Sequence, residues 1–372
     1  MPCEGAQLRN PKETTDKLAP CIELKGKKCF NLKAFNKKTG SAFLFHIPKE
    51  FLEPIPNNKC FVRRGLRDIG INRPPHLLIP ETWKNFMVYS DEYFAVPPRQ
   101  IGVAAPPEDA ELLRALAVYL GSSLVDYHVF FQVPTWGLYS SYPLVVLRAV
   151  RGIPTPDFKD AQVKALAKVH REILREEKTF RLTAEDVSGV IEKQRLIDKA
   201  VFEALDVPDD VRVVVEDFRD NRLPLDNGYS ALKKLGETPT NKELQAYGRA
   251  LRDEMERFLM DEAHPCVRII TTEDLICCEL QLLPASSTAS QAVEVLDAGE
   301  NSKGKATHRK LRAMLSEKFS QWAYVDRSLR IFQENTVQVF KSPRLMDWTR
   351  TQALNDADAI IAEILAEGEM PT

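Results

Sequence analysis

Glu108-Asp109-Ala110-Glu111-Leu112-Leu113-Arg114-Ala115-Leu116-Ala117-Val118-Tyr119-Leu120-Gly121-Ser122-Ser123-Leu124-Val125-Asp126-Tyr127 is where the chain changes character. Leu112, Leu113, Leu116, Ala117, Leu120 and Leu124 fall at helical spacing across it. Upstream, prolines from Pro48 to Pro107 break the chain into short strands and loops. The grammar of residues 21–65 is strand–turn–strand: Lys25-Gly26-Lys27-Lys28 precedes Cys29-Phe30-Asn31-Leu32, and Asn36-Lys37-Lys38-Thr39-Gly40 precedes Ala42-Phe43-Leu44-Phe45. Downstream, Phe130-Phe131-Gln132-Val133-Pro134-Thr135-Trp136-Gly137 reads as a loop. Pro143 to Val150 reads as a buried strand closed by Gly152-Ile153-Pro154-Thr155-Pro156.

From Asp157 the pattern is helical. Helices are expected over Asp157–Lys178, over Thr183–Leu205 behind the capping box Thr183-Ala184-Glu185-Asp186, near Pro208–Arg222, and near Asn241–Met260 behind Thr240. Cys266–Thr272 and Leu275–Leu283 read as a hairpin around Glu273-Asp274. Residues 284–306 are rich in Ser, Ala and Gly and read as a linker. Lys310–Phe319 is expected to be helical. Ala323–Phe332 pairs with Thr336–Lys341 across Gln333-Glu334-Asn335, and Asp347–Ala366 forms a closing amphipathic helix. The expected class is α+β: a lead-in at 1–20, a mixed α/β domain at 21–156, a helical connector at 157–265, and a small α+β cap at 266–372.

The chain has 372 residues, 44% hydrophobic and 28% charged, a globular mixture that excludes global disorder. No apolar run reaches the ~18–20 residues of a membrane helix, and Met1 to Pro20 lacks the apolar core of a secretory signal. Seven cysteines without a Cys-x-x-Cys spacing fit neither a disulfide scaffold nor a zinc ribbon, so a reducing, cytoplasmic setting is expected. The net charge of −2 hides an asymmetry. Residues 1–73 carry 15 Lys and Arg against 7 Asp and Glu, whereas residues 151–372 carry 32 against 39. A basic front on an acidic body points to a polyanion-facing surface at the front.

Four other signals compete. Gly299-Glu300-Asn301-Ser302-Lys303-Gly304-Lys305 matches most of a phosphate-binding loop, but Ala306 stands where a hydroxyl must hold Mg²⁺, so a flexible linker is the plainer reading. Asp16 with Glu23-Leu24-Lys25 matches the end of an Asp…Glu-x-Lys nuclease core, in which two acids hold Mg²⁺ and the lysine helps activate water; the pattern is common by chance, and a strand edge with charged flanks is the plainer reading. The six histidines, His46, His76, His128, His170, His264 and His308, are scattered and read as surface or capping residues. Cys277-Cys278 lies in an apolar strand and reads as packing.

The sharper constellation is basic residues interleaved with aromatics and prolines. Arg63, Arg64, Arg67 and Arg73 offer planar donors that bridge phosphate oxygens or read guanine edges. Lys27, Lys28, Lys37 and Lys38 are expected at turn tips, within reach of a phosphate backbone. Arg99 and Gln100 follow two prolines. Gln132, Trp136, Tyr139, Ser140 and Ser141 share an aromatic loop, where an amide suits adenine and hydroxyls suit phosphate. Phe130, Phe131 and Trp136 are equally candidates for the core.

One series of motifs runs from Pro97-Pro98-Arg99-Gln100-Ile101-Gly102 through Leu116-Ala117-Val118-Tyr119-Leu120-Gly121-Ser122-Ser123-Leu124 to Gly152-Ile153-Pro154-Thr155-Pro156. In this order they resemble the target-recognition region of bacterial adenine-N6 DNA methylases of restriction–modification and related phage-defence systems. Val215-Glu216-Asp217-Phe218-Arg219, Val325-Asp326-Arg327 and Trp348-Thr349-Arg350 extend the likeness towards the C-terminus. Such methylases hold S-adenosylmethionine with a Gly-rich turn and the flipped adenine with an Asn/Asp-Pro-Pro-aromatic loop. The nearest string here, Asn72-Arg73-Pro74-Pro75-His76, lacks the aromatic. The resemblance therefore implies the recognition-bearing part of a methylase without its catalytic domain. It implies double-stranded DNA as ligand, a catalytic domain or defence subunit as partner, S-adenosylmethionine on that partner, and no cofactor or catalytic residue in this chain. A protein-interaction scaffold and a Mg²⁺-dependent nuclease are the alternatives.

Overall fold

The computed structural model describes all residues except 1, 5–7, 9–17 (Lys12 apart), 40–43, 64–68, 81–86, 98–99, 133–146, 180–186, 223–228, 261, 274, 286–292, 298–327 (Arg309 and Ala313 apart) and 369–372. The architecture is α+β, as expected, and the chain divides into two compact units, Met1–Pro208 and Asp209–Thr372. The division falls inside the stretch read as a helical connector.

The first unit is built from short strands. β1 (Cys3–Glu4), β9 (Ile101–Ala104), β6 (His76–Ile79) and β7 (Val88–Ser90) form one sheet in that order. β2 (Leu18–Pro20) pairs with β5 (Phe61–Arg63). β3 (Lys28–Phe30) lies between β4 (Leu52–Pro54), antiparallel, and β8 (Phe94–Ala95), parallel, with Lys28 opposite Phe94 and Cys29 opposite Ala95. Phe30, Phe35, Phe51, Leu78, Val88 and Phe94 make a shared core. Strands this short bury little surface each, so side chains fasten the connecting backbone. The buried Glu177 carboxylate accepts N–H bonds from Leu44, Phe45 and His46 at 2.7–3.0 Å, and Asn72 accepts from Val96 N–H at 2.8 Å.

The helices of this unit are α1 (Leu32–Thr39), α2 (Ala110–Leu120), α3 (Ser123–Gln132), α4 (Leu147–Arg151), α5 (Asp160–Thr179) and α6 (Val187–Ala204). Three expectations are corrected here. Asn36–Thr39 is helix, not turn, so Lys37 and Lys38 lie on α1. Asn31 caps that helix by accepting from Ala34 N–H, and Phe35 anchors it between Phe30 and Phe51. Leu147–Val150 is helical rather than strand; residues 143–146 lie outside the described residues. The stretch from 108 is two helices that break at Gly121-Ser122, and the second runs on through Phe130, Phe131 and Gln132. Its far end leaves Phe131 64% exposed, so that ring is not core.

The break at Gly121 is held from α6. Asp198 accepts from the Ser123 N–H and hydroxyl, both at 2.7 Å, and Gln194 donates to the Gly121 carbonyl at 2.8 Å. Ser122 and Ser123 are wholly buried. The Gly121-Ser122-Ser123 step of the methylase-like motif is thus a joint between helices, and the residues that carry the likeness carry packing. His76 and His170 are also fully buried, contrary to the surface reading. His170 stacks on Phe45 and meets Tyr89 edge-on. Burial and the adjacent Arg114 push its pKa down to about 3.

In the second unit, α7 (Asp209–Asp217) runs into a π-helical turn at Phe218–Arg222, followed by α8 (Tyr229–Gly236) and α9 (Asn241–Leu259). Thr240 and Glu243 close a reciprocal capping box at the start of α9. A five-stranded sheet then runs in the order β12 (Glu294–Asp297), β10 (Ala263–Thr271), β11 (Ile276–Pro284), β14 (Thr336–Lys341) and β13 (Leu329–Gln333). β10 and β11 hold an unbroken nine-residue register from Ala263↔Pro284 to Thr271↔Ile276. β12, parallel to β10, is a strand inside the stretch expected to be linker.

Leu244, Tyr247, Leu251 and Met255 of α9 and Ala353, Ala357 and Ile360 of α10 (Arg350–Gly368) join the core with one face of the sheet. That face presents Val267, Ile269, Ile276, Cys278, Leu280, Val337 and Val339. Cys277 points to the other face, beside Ile270 and Phe340, as alternation demands. One ion pair is sealed in this core. Lys341, 4% exposed, pairs with Asp356, 7% exposed. Tyr247 donates to the same carboxylate oxygen at 2.5 Å, and the Trp348 indole donates to Ser342 O at 2.9 Å.

Candidate nucleic-acid interface

Among the described residues, the predicted basic front converges on the β3–β8 ribbon. Gly26 adopts φ 71°, which lets the chain turn at Lys25-Gly26 and enter β3. Lys25, Lys27 and Lys28 are exposed on that turn. The Lys27 ammonium stands 4.9 Å from the centre of the Tyr93 ring, which precedes β8. Arg73 reaches the same place from the 69–75 loop. Its guanidinium pairs with Glu23 at 2.7 Å, and both charges act on the Tyr93 hydroxyl, whose pKa is raised mainly by burial and by the neighbouring Cys21. The Arg73–Glu23 pair is 64% and 47% exposed. An ion pair this open to water is worth about 0–1 kcal/mol, so a phosphate can compete for the guanidinium.

Further along the same ribbon lies an open cavity of about 530 Å³ lined by Cys29, Phe30, Asn31, Leu32, Lys33, Glu53, Pro97 and Gln100. Gln100, 5% exposed, enters it from a turn in which its N–H donates to Pro97 O at 3.2 Å. The Asn31 amide donates to Glu53 at 2.6 Å, which holds one wall. Burial and the Glu53 charge push the Cys29 thiol up, so it stays protonated near neutrality and is a poor nucleophile. The cavity is lined by the carboxamides of Asn31 and Gln100, by apolar walls, by the Glu53 carboxylate and by Lys33, and the Asn31 amide is engaged at both ends, by Glu53 and by the Ala34 N–H.

The remaining predicted residues are placed as follows. Lys37 and Lys38 lie on α1, and Arg63 ends β5 opposite Leu18. Gln132 is the exposed last residue of α3. Arg64, Arg67, Arg99, Trp136, Tyr139, Ser140 and Ser141 lie outside the described residues, as do the phosphate-loop-like 299–305 and Asp16 of the nuclease-like set. Glu23 of that set is engaged by Arg73, and Lys25 is exposed on the turn. No group of three or more His, Cys, Asp or Glu among the described residues has metal-holding geometry. Nor is any described helix long and apolar enough to cross a membrane.

Sequence reasoning passed over Tyr93, Asn31, Lys33 and Glu53. Tyr93 carries no local motif. Only the parallel pairing of β3 with β8 brings it to Lys27. Comparison with models of known protein families and with curated proteins finds no match for the chain. The likeness to methylase recognition regions rests on the short motifs quoted above.

Proposed function

We propose that the chain is a sequence-reading module for double-stranded DNA. In this reading it serves an adenine-N6 methylation or related restriction–modification or defence system, and it positions a separate catalytic partner that binds S-adenosylmethionine. The observation that carries the reading is a set of exposed cations around one turn, with Lys27 over the Tyr93 ring and Arg73 paired to Glu23, on the ribbon whose open cavity Gln100 lines. Arg73, 46 positions on from Lys27, is tied through Glu23 to the segment that leads into Lys27. Such cations set the protein on phosphates without reading sequence. A carboxamide beside them suits the adenine edge, to which Gln presents a matched donor and acceptor.

Gel-shift titration with random and selected duplexes at two salt concentrations tests this. Binding should weaken steeply as salt rises, and one duplex family should be preferred at both concentrations. Gln100→Ala should reduce that preference while leaving affinity for random duplex unchanged. Absent or salt-independent binding rejects the reading. A stable complex with a partner protein in the absence of any DNA binding would place the chain among scaffolds instead.

A further inference from the structure

We infer that Cys21 and Cys60 are a redox-modification site, a thiol pair that closes into a disulfide when it meets a low-molecular-weight disulfide such as oxidised glutathione. The inference stands apart from the DNA reading and does not rest on it. β2 and β5 pair antiparallel with Leu18 opposite Arg63, Ala19 opposite Val62 and Pro20 opposite Phe61. One more step in that register sets Cys21 opposite Cys60, and the Cys21 N–H donates to Cys60 O at 2.9 Å. Cys60 itself caps the turn at Asn57–Lys59 with φ −76° and ψ 47°, so its side chain is placed by packing in the cluster that it shares with Cys21 rather than by strand alternation. The Cys60 N–H turns to Asn57 O at 3.4 Å, so one backbone bond joins the pair, and residues opposed in this way have Cα atoms roughly 4.5–5.5 Å apart. That spacing falls inside the roughly 4.4–6.8 Å that a disulfide spans.

The packing agrees with the register. Both residues are free thiols, both are buried, and both belong to one cluster with Leu24, Ile55 and Ala95. The other cysteines are placed differently. Cys277 and Cys278 are neighbours in a strand and point to opposite faces. Cys266 faces Gln281 across its ladder. Cys29 touches the Cys21–Cys60 cluster from its edge, on another sheet.

The exchange balances in two displacements. One protein thiolate attacks the small disulfide, forms a mixed disulfide and releases one small thiol. The second protein thiolate then displaces the other small thiol. Two protein S–H bonds and one small S–S bond become one protein S–S bond and two small S–H bonds. The protein is oxidised by two electrons and the small disulfide is reduced by two. The new link closes residues 22–59 into a loop that contains Lys25, Lys27, Lys28 and every cavity-lining residue except Pro97 and Gln100. Oxidation therefore clamps the basic turn and most of the cavity wall to the β2–β5 ribbon.

The test uses the full chain, incubated folded with oxidised glutathione, alkylated in denaturant and digested without reduction for mass spectrometry. The expected product is a peptide joining Cys21 to Cys60. Its formation should raise the thermal midpoint by roughly 5–10 °C, reversibly with dithiothreitol. Cys60→Ala should abolish the cross-link and Cys29→Ala should leave it. Recovery of Cys21 and Cys60 as alkylated thiols or as glutathione adducts would overturn the inference. So would their pairing with other cysteines. These readouts come from the unsubstituted chain and hold even where a variant fails to fold.

Discussion

The two units reach stability by different routes. In Asp209–Thr372 a nine-residue antiparallel register and two long helices bury one continuous core, and local sequence patterning accounts for most of it. In Met1–Pro208 strands of two to four residues cannot hold themselves together, and buried polar side chains fasten the backbone between them. This unit has short strands joined by turns and an open cavity beside β3. Such places can carry a binding surface, and the candidate interface lies in this unit.

The contrast can be broken experimentally, and the largest effect should come from the continuous core. Asp356→Ala leaves Lys341 buried without its carboxylate and takes the acceptor from Tyr247. A loss of about 4 kcal/mol is expected in urea unfolding, with hydrogen exchange rising first in Thr336–Lys341 and Arg350–Gly368. A loss below about 1 kcal/mol would show that this core does not depend on the sealed Lys341–Asp356 pair.

Glu177→Ala tests the stitching. It strands the buried Leu44 and Phe45 N–H groups and the half-buried His46 N–H, and removes a partner of Lys193, which keeps Glu176. A loss of about 3 kcal/mol is expected, with faster exchange concentrated at residues 44–48. Unchanged stability would mean that the short strands need no such fastening.

A third effect is pH-dependent. The folded-state pKa of His170 is lowered to about 3 from an ordinary 6.5, so between those values the unfolded chain binds the extra proton. Stability contributed by neutral His170 is therefore present above about 6.5 and lost as pH falls towards 3. His46, lowered to about 4 mainly by burial, acts in the same direction. His170→Phe keeps a ring against Phe45 and should flatten the acid limb of the stability profile. An unchanged limb would assign the acid sensitivity elsewhere.

The smallest effect on stability, and the most informative for function, comes from Arg73→Ala and Lys27→Ala. Each should alter folding stability by less than about 1 kcal/mol, because their partnerships are exposed. Each should lower the salt slope of DNA binding by about one. Slopes that stay constant would detach the Tyr93 surface from phosphate.

Legibility followed the length of the patterns. The β10–β11 hairpin, the helix behind Thr240 and the closing helix could be read because their apolar periods persist over many residues. The turn at Glu334, with φ 48°, fell where the strand patterns stop. Lys37 and Lys38 were misread as turn tips because an eight-residue helix has too few periods to outweigh an Asn-Lys-Lys-Thr-Gly string, while its anchor, Phe35, packs against Phe30 and Phe51. β12 was hidden in a Ser- and Ala-rich stretch because a four-residue strand takes its identity from its parallel partner β10. The Lys27–Tyr93–Arg73 surface was visible only as an excess of charge.

By itself the sequence determined the class of the protein, its long helices, its principal hairpin and the basic bias of its front, because each is written in local periodicity or composition. Tertiary structure alone decided which cations meet, that the Gly121-Ser122-Ser123 step is a buried joint, that Cys21 opposes Cys60, and that Gln100 opens into a cavity. The physical reason is that these are pairings between segments 30 to 80 residues apart. Register and burial specify them, and neither quantity belongs to any one segment.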